Sequence, residues 1–402
     1  MRSMRSVASA RPPRNARVHT FEIVLVIAWS CSLATAILNL ALVPRLSVGR
    51  TFLSGPREGQ TGMSGPHVSV VIPARNEERR IEQTVRAMLA QTYADLEVIV
   101  VNDRSADRTA EILASIGDAR LIVIHGEEPP SDWLGKPWAC HQGCRAARGD
   151  LLLIVDADVH YSPAAITSMV DYIDAHSDLA MIAVLPRFEL VGFWEHIAMP
   201  MLAVTAMMFF PLWLSNATTF SSLGIGGGTG NMIRRRDFDD IGGYAALHNA
   251  VVDDVGMARQ LRAHGKRTHA ARADDLISLR MYHGAREIVD GFTKNVFAVF
   301  SGFTGLLLMV PLALLFHVVP YFLALRGDVL AIAVVTMITL CRLVVFIPLR
   351  LRVDNALFGH PLMVVFWSWI FIRSMWFIGV RKELQWRGRN YGKTWSRFGK
   401  EH

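Results

Sequence analysis

Apolar positions are spread unevenly along this chain. From Ile23 to Val43 they form a run of about 21 residues, enough to cross a ~30 Å hydrocarbon layer. Three more apolar runs lie near the other end, roughly Phe303–Leu325, Val329–Leu349 and Leu357–Gly379. Between these extremes, short apolar runs alternate with amphipathic stretches. VSVVIPA (Val68–Ala74) precedes the helical pattern EERRIEQTVRAML, and LEVIVVND (Leu96–Asp103) precedes ADRTAEILASI. RLIVIHG (Arg120–Gly126), DLLLIVDAD (Asp150–Asp158) and LAMIAVL (Leu179–Leu185) read as three further strands, with WACHQGCRAA as a helix between the first two. Continuous apolar strands separated by amphipathic helices predict an α/β domain whose mainly parallel sheet is covered on both faces.

This pattern divides the chain into a basic tail (1–22), an anchor (23–43) and a Gly/Ser/Pro-rich linker (44–67). A catalytic-type domain follows (68–295), then C-terminal transmembrane helices (296–380) and a second basic tail (381–402). A signal peptide is the competing reading of the first run, but the run is long and shows no clear small-residue cleavage site. Within the domain, residues 198–214 are again apolar but broken by Pro200 and Pro211. A crossing there would split the domain across the bilayer, so an interfacial helix is expected instead.

The composition changes the picture in two respects. The net charge of +7 is concentrated at the termini, beside the apolar runs. Such clusters usually meet anionic headgroups, and no nucleic-acid partner is expected. Cys31, Cys140, Cys144 and Cys341 read as reduced packing thiols, because a zinc site would need more ligands nearby.

In open parallel sheets, ligands bind at the carboxyl ends of the strands. Asp103 ends the second strand there, and Asp156 and Asp158 end the fourth. Two residues apart on extended backbone, the latter pair would point the same way and share one hard cation with diphosphate oxygens. The bland reading makes them turn or capping residues; their place at a strand end, matched by Asp103, favours the functional one. Asp253 and Asp254 open a helix after a glycine run, Gly224–Gly230. A general base and a simple favourable charge at a helix start explain that pair about equally well. The glycine run lacks the Lys-Ser/Thr of a phosphate-binding loop and is expected to let backbone pass close to a ligand or turn sharply. Lys136, in WLGKPW, is a phosphate candidate, although a solvated loop lysine is the default.

Taken in order, VSVVIPARNEE, VNDRSAD, GKPWACHQG, LLLIVDAD, GGTGNMIRRRDFDDIGGY and VVDDVGMARQL resemble the family 2 glycosyltransferases, over about Val68–Asn295. The resemblance implies the Rossmann-like fold called GT-A. It implies that Pro73, Ala74, Arg75 and Glu77 line a nucleotide pocket and that Asp103 holds the base or ribose. Asp156 and Asp158 would hold the diphosphate through Mg²⁺ or Mn²⁺, and Asp254 would be the catalytic base of an inverting transfer. Asp253 would stand on the acceptor or sugar side, with Lys136 on the donor. The family's Q/R-x-x-R-W motif is absent; SLRMYHGAREIVDGFTKN stands in its place, with Arg280 or Arg286 as substitute diphosphate contacts. That stretch and WRGRNYG (Trp386–Gly392) are similar to the branch that glycosylates membrane lipids, such as ceramide and carotenoid glucosyltransferases.

The expected reaction moves a hexose, glucose first among them, from a UDP-type nucleotide-sugar donor to a hydroxyl of a membrane-lipid acceptor of carotenoid, hopanoid, sphingolipid or glycerolipid type. Cytosolic donors place the domain on the cytoplasmic side of an integral membrane protein. Arginine-rich tails at both ends conflict with one span before the domain and three after it, unless Leu357–Gly379 is re-entrant. A processive polysaccharide synthase and a non-catalytic nucleotide-sugar-binding protein are the alternatives. Oligomeric state is not legible.

Overall fold

The computed structural model describes residues 14–49, 65–299 and 302–381, together with 385–386 and 389–390. Most of both basic tails and of the linker, and most of WRGRNYG, lie outside the described residues.

A long helix, α1 (Arg14–Leu42), comes first. The domain then alternates: β1 (Val68–Ala74), α2 (Ile81–Leu89), β2 (Leu96–Asn102), α3 (Thr109–Ala114), β3 (Leu121–His125), α4 (Gly135–Ala146) and β4 (Leu151–Ile154). Next come β5 (Val159–Tyr161), α5 (Ala165–Ala175), β6 (Leu179–Leu185) and the short β7 (Arg187–Phe188). A kinked apolar segment follows: α6 (Phe193–Ala198), α7 (Pro200–Val204), a π-helical turn (Thr205–Phe209) and α8 (Leu212–Ala217). The domain closes with β8 (Asn231–Arg234), α9 (Arg235–Asp240), α10 (Asp253–Ala263), β9 (Arg267–Arg272) and β10 (Ile277–Leu279). The C-terminal helices are α11 (Gly284–Val299), α12 (Gly302–His317), α13 (Val319–Ala324), α14 (Val329–Phe346), α15 (Val353–Phe358) and α16 (His360–Ser374). A further π-helical turn (Met375–Val380) extends α16.

The main sheet has seven strands in the order β3-β2-β1-β4-β8-β6-β9. The mainly parallel sheet is as expected, with one departure: β8 runs antiparallel to both β4 and β6. Its four residues, NMIR, are too short to stand out beside a glycine run and a charged helix. Alternate side chains serve opposite faces of the sheet. Val68, Val70 and Ile72 meet Ile81, Val85 and Met88 of α2 and Met169 and Ile173 of α5. Val71 and Ile99 meet Cys140 and Cys144 of α4 and Met257 and Leu261 of α10. Those cysteines are free and buried, as their spacing suggested.

A second correction bears on chemistry. β4 ends at Ile154, not at Asp158, and Asp156–Asp158 lie in the turn before β5. The paired aspartates therefore do not share an extended backbone.

The apolar helices attach to the domain through a few polar ties. Arg45, just past α1, reaches Asp274 at 2.9 Å and Asp275 at 2.7 Å, and Arg350, past α14, reaches Asp275 at 3.0 Å. Leu25 and Trp29 of α1 pack with Val334, Ile338 and Cys341 of α14. Glu195 of α6 is the other anchor, only 1% exposed. It accepts hydrogen bonds from Arg280 Nε at 3.2 Å and Nη2 at 3.1 Å, and from the backbone of Val191 at 3.0 Å and Gly284 at 3.1 Å. Burial opposes its charge, but these donors outweigh burial and bring its pKa down to about 2. The stabilisation is thus complete above the ordinary carboxylate range and is lost as pH falls through about 2. Glu195→Gln leaves Arg280 without its carboxylate and is expected to cost roughly 3 kcal/mol at neutral pH. A lower melting temperature in detergent checks this; an unchanged one refutes the anchor.

Candidate active site

The carboxyl edge of the sheet is built first from β1 and β2, which run in register so that Ala74 faces Asn102. Past β2, Asp103 donates its N–H to Ala74 O at 2.8 Å, and Arg75 Nη1 donates to Asp103 O at 2.8 Å. The Asp103 carboxylate is nearly buried, with Arg75 at 3.7 Å and Arg104 at 3.4 Å. Asn76 and Arg104 both hold positive φ, 54° and 52°. For arginine this conformation costs about 1–2 kcal/mol. The loops are tied across that strain: Asn76 N–H donates to Ser105 Oγ, and Ala106 N–H to Asn76 Oδ1. Glu77 N–H donates to Thr109 Oγ1 at 2.9 Å, while Glu77 O accepts from Ile81 at the start of α2. Pro73, Ala74, Arg75, Glu77 and Asp103 are thus brought to one edge.

The second part of the site forms around one ammonium group. Lys136, the second residue of α4, places Nζ 2.8 Å from Asp156 Oδ1 and 3.4 Å from Asp253 Oδ1. It lies in a helix rather than a loop, with its side chain 38% exposed and its ammonium in an ion pair. Burial works against its charge, and Asp156, Asp253 and Asp254 outweigh burial, raising its pKa well above the ordinary value. Asp253 is 3% exposed, and its other oxygen accepts from Tyr244 Oη at 3.2 Å. Asp254 is half-buried beside it, and its Oδ1 accepts from Val255 N–H at 2.8 Å. Burial, then the charges of Asp253 and Asp156 working against Lys136, push the Asp254 pKa up.

The glycine run is what lets these groups meet. Gly228 O accepts from Asp156 N–H at 2.8 Å, and a Cβ on Gly228 would overlap the Asp156 carboxylate. A Cβ on Gly226 would overlap the Asp254 carbonyl. Asn231 of β8 fastens both sides, donating from Nδ2 to Asp254 O at 3.2 Å and accepting from Gly227 N–H at 3.2 Å.

Other predicted residues point elsewhere. Asp158 pairs with Arg80 Nη1 at 3.2 Å, and the same guanidinium meets His283 Nδ1 at 3.0 Å. Arg280 is committed to Glu195, and Arg286 stands 96% exposed, 4.0 Å from Asp290 on its own helix. Arg80, Tyr244 and Asn231 were not foreseen. Arg80 follows NEE closely, but nothing in its spacing announces a partner 78 residues away.

Donors at this edge are carboxylate oxygens, which suit a hard divalent cation. Among the described residues no three His, Cys, Asp or Glu side chains converge as a closed metal cage. A divalent cation can be held by one or two carboxylates and completed by substrate phosphates. Asp156, whose side chain is 39% exposed and carries a surplus of acidic neighbours, fits such a role.

Residues 69–242, which include Arg75, Asp103, Lys136 and Asp156 but end before Asp253 and Asp254, match the model of glycosyl transferase family 2. The chain carries a family 2 glycosyltransferase domain. Beyond that domain, the 4,4'-diaponeurosporenoate glycosyltransferase of Staphylococcus aureus (strain USA300) is 23% identical over 336 residues, 81% of this chain and 88% of that protein. A mannosyltransferase from Pyrobaculum calidifontis, solved with GDP-Man and Mn²⁺, covers 90% of this chain and 99% of its own at a TM-score of 0.50. Its sequence identity is 17%, so that likeness speaks for the fold alone. The domain therefore has the GT-A fold, with apolar helices near both ends of the described chain.

Because Gly228 lies against Asp156, Gly228→Ala must displace that carboxylate. Donor affinity measured by calorimetry is expected to fall at least about tenfold, or 1.4 kcal/mol. Wild-type affinity would show that Asp156 does not meet the donor.

Proposed function

We propose that this glycosyltransferase moves a hexose, glucose foremost, from a UDP-sugar to a hydroxyl of a membrane lipid. The reading is supported by one juxtaposition above all: Asp156 and Asp253 paired with Lys136, and Asp254 next to Asp253 in the chain, in a domain fastened to apolar helices. The Staphylococcus aureus relative, by its name, acts on a carotenoid acid, which favours a carotenoid-type acceptor here.

In this reading the Arg75–Asp103 edge holds the nucleoside. Lys136 and Asp156 face the diphosphate, with Asp158 close by in the same turn. Mg²⁺ or Mn²⁺ bound there would neutralise charge developing on the leaving diphosphate. Asp254 takes the proton from the acceptor hydroxyl as its oxygen attacks the anomeric carbon opposite the diphosphate. A carboxylate whose pKa is raised is a better proton acceptor than an ordinary one, which suits that task. Asp253, held by Tyr244 and Lys136, keeps Asp254 and Lys136 in place. The domain works from the cytoplasmic side, where nucleotide-sugars are found, and the acceptor arrives laterally within the bilayer.

Purified enzyme incubated with labelled nucleotide-sugars and a lipid extract should place label in the organic phase; label confined to water-soluble product would reject the lipid acceptor. Asp254→Asn should lower turnover roughly 10²–10⁴-fold while donor affinity changes little. Full turnover in that variant would move the base elsewhere. Chelation of divalent metal should stop transfer, and indifference to chelator would remove the metal from the reaction.

A further inference from the structure

The two aspartates of the D-A-D turn have separate cationic partners. Asp156 is met by Lys136 at 2.8 Å, and Asp158 by Arg80 at 3.2 Å. The first pair belongs to the acidic cluster. The second does not, because Arg80 comes from the segment that carries Arg75 and Glu77.

The backbone sets Arg80 between the two parts of the site. Its N–H donates to Glu77 O at 2.9 Å, and its carbonyl accepts from Thr84 N–H at 3.1 Å in the first turn of α2. Thr84, 2% exposed, donates from Oγ1 to Ala157 O at 2.8 Å. A buried hydrogen bond therefore fastens α2 to the D-A-D turn. On the other side, Arg75 and Glu77 are tied to the loop after β2, at Asp103 O and Thr109 Oγ1. Arg80 thus belongs to the stretch that joins the Asp103 edge to the acidic turn. A ligand with one end at Asp103 and the other at Asp156 runs along that stretch.

The guanidinium is only partly engaged. Nη1 meets one oxygen of Asp158, Nη2 meets His283 Nδ1 at 3.0 Å, and Glu287 stands 3.9 Å away. Nε has no partner among the described residues, and 23% of the side chain is exposed. An arginine carries five N–H donors in a planar fork that matches two oxygens of one carboxylate or phosphate. Asp158 uses one arm of that fork, and its carboxylate oxygen stands in for a phosphate oxygen.

The other cations near the cleft are committed. Lys136 is shared by Asp156 and Asp253. Arg75 and Arg104 face Asp103, Arg280 is held by Glu195, and Arg286 is 96% exposed. A diphosphate brings more negative charge than one shared ammonium can meet.

We infer that Arg80 binds the donor's diphosphate, exchanging its contact with Asp158 for paired contacts with phosphate oxygens. The inference rests on the reading of the site as one for a UDP-sugar. It adds the side chain that tells a nucleoside diphosphate from a monophosphate. The Nη2 contact with His283 keeps the fork aimed while Nη1 and Nε turn to the ligand.

The test compares UDP with UMP on the full-length enzyme in detergent, by calorimetry with Mg²⁺ present. The ratio of the two affinities isolates the second phosphate. Arg80→Met is expected to lower UDP affinity at least about tenfold, with UMP affinity held within about twofold. Arg80→Lys keeps the charge but not the fork, and should show the same selective loss to a smaller degree. It decides the matter if the methionine variant does not fold. Equal losses of UDP and UMP would overturn the inference and make Arg80 a strut between the acidic turn and α11. Unchanged UDP affinity would overturn it as well. Failure of the unaltered enzyme to bind either nucleotide would instead remove the UDP-sugar reading, and this inference with it.

Discussion

One ammonium group organises the carboxyl edge of this domain. Lys136 stands between carboxylates contributed by the turn after β4 and by the start of α10, segments about a hundred residues apart in sequence. Bringing Asp156, Asp253 and Asp254 together sets like charges side by side, with Asp253 buried, and a cation among them offsets that repulsion. With it, the cluster persists but remains acidic on balance, and Asp254 shows the remainder as a raised pKa. A site that holds carboxylates close while leaving them short of positive charge is prepared for a further cation or for proton uptake. The glycines at 226 and 228 make the approach possible, because a side chain at either would occupy the space of the acidic residues.

The other constraint comes from the membrane side. Glu195 draws together the end of β10, the start of α6 and the start of α11. Arg80 joins the Asp158 turn to His283 at the same place. The acidic turn after β4 and the apolar helices are therefore mechanically continuous, through two guanidinium–carboxylate contacts.

Much of this was legible in the chain itself. The strands at 68–74, 96–102 and 179–185 announced themselves by runs rich in β-branched and aliphatic residues. The edge that gathers Arg75 and Asp103 follows from parallel strands ending together. Three things were hidden, for physical reasons. β8 is four residues long and antiparallel, so hydrophobic periodicity has too little to work with. The end of β4 is set by a turn rather than by composition, and apolar Val155 and Ala157 disguised it. The partners of Lys136, Arg80 and Arg280 are long-range ion pairs, and a charged residue carries no local mark of which distant acid it will meet. Arg286 illustrates the converse, a promising arginine that points into solvent.

The account rests on Lys136 as the group that joins the acidic cluster to the donor. Its most direct test is Lys136→Met, with UDP-glucose affinity and sugar transfer measured on the same preparation and the melting temperature confirming that the fold is retained. Loss of at least about tenfold in affinity, with transfer falling further, is the predicted result. A folded variant that binds and transfers as the unaltered enzyme does would contradict the account.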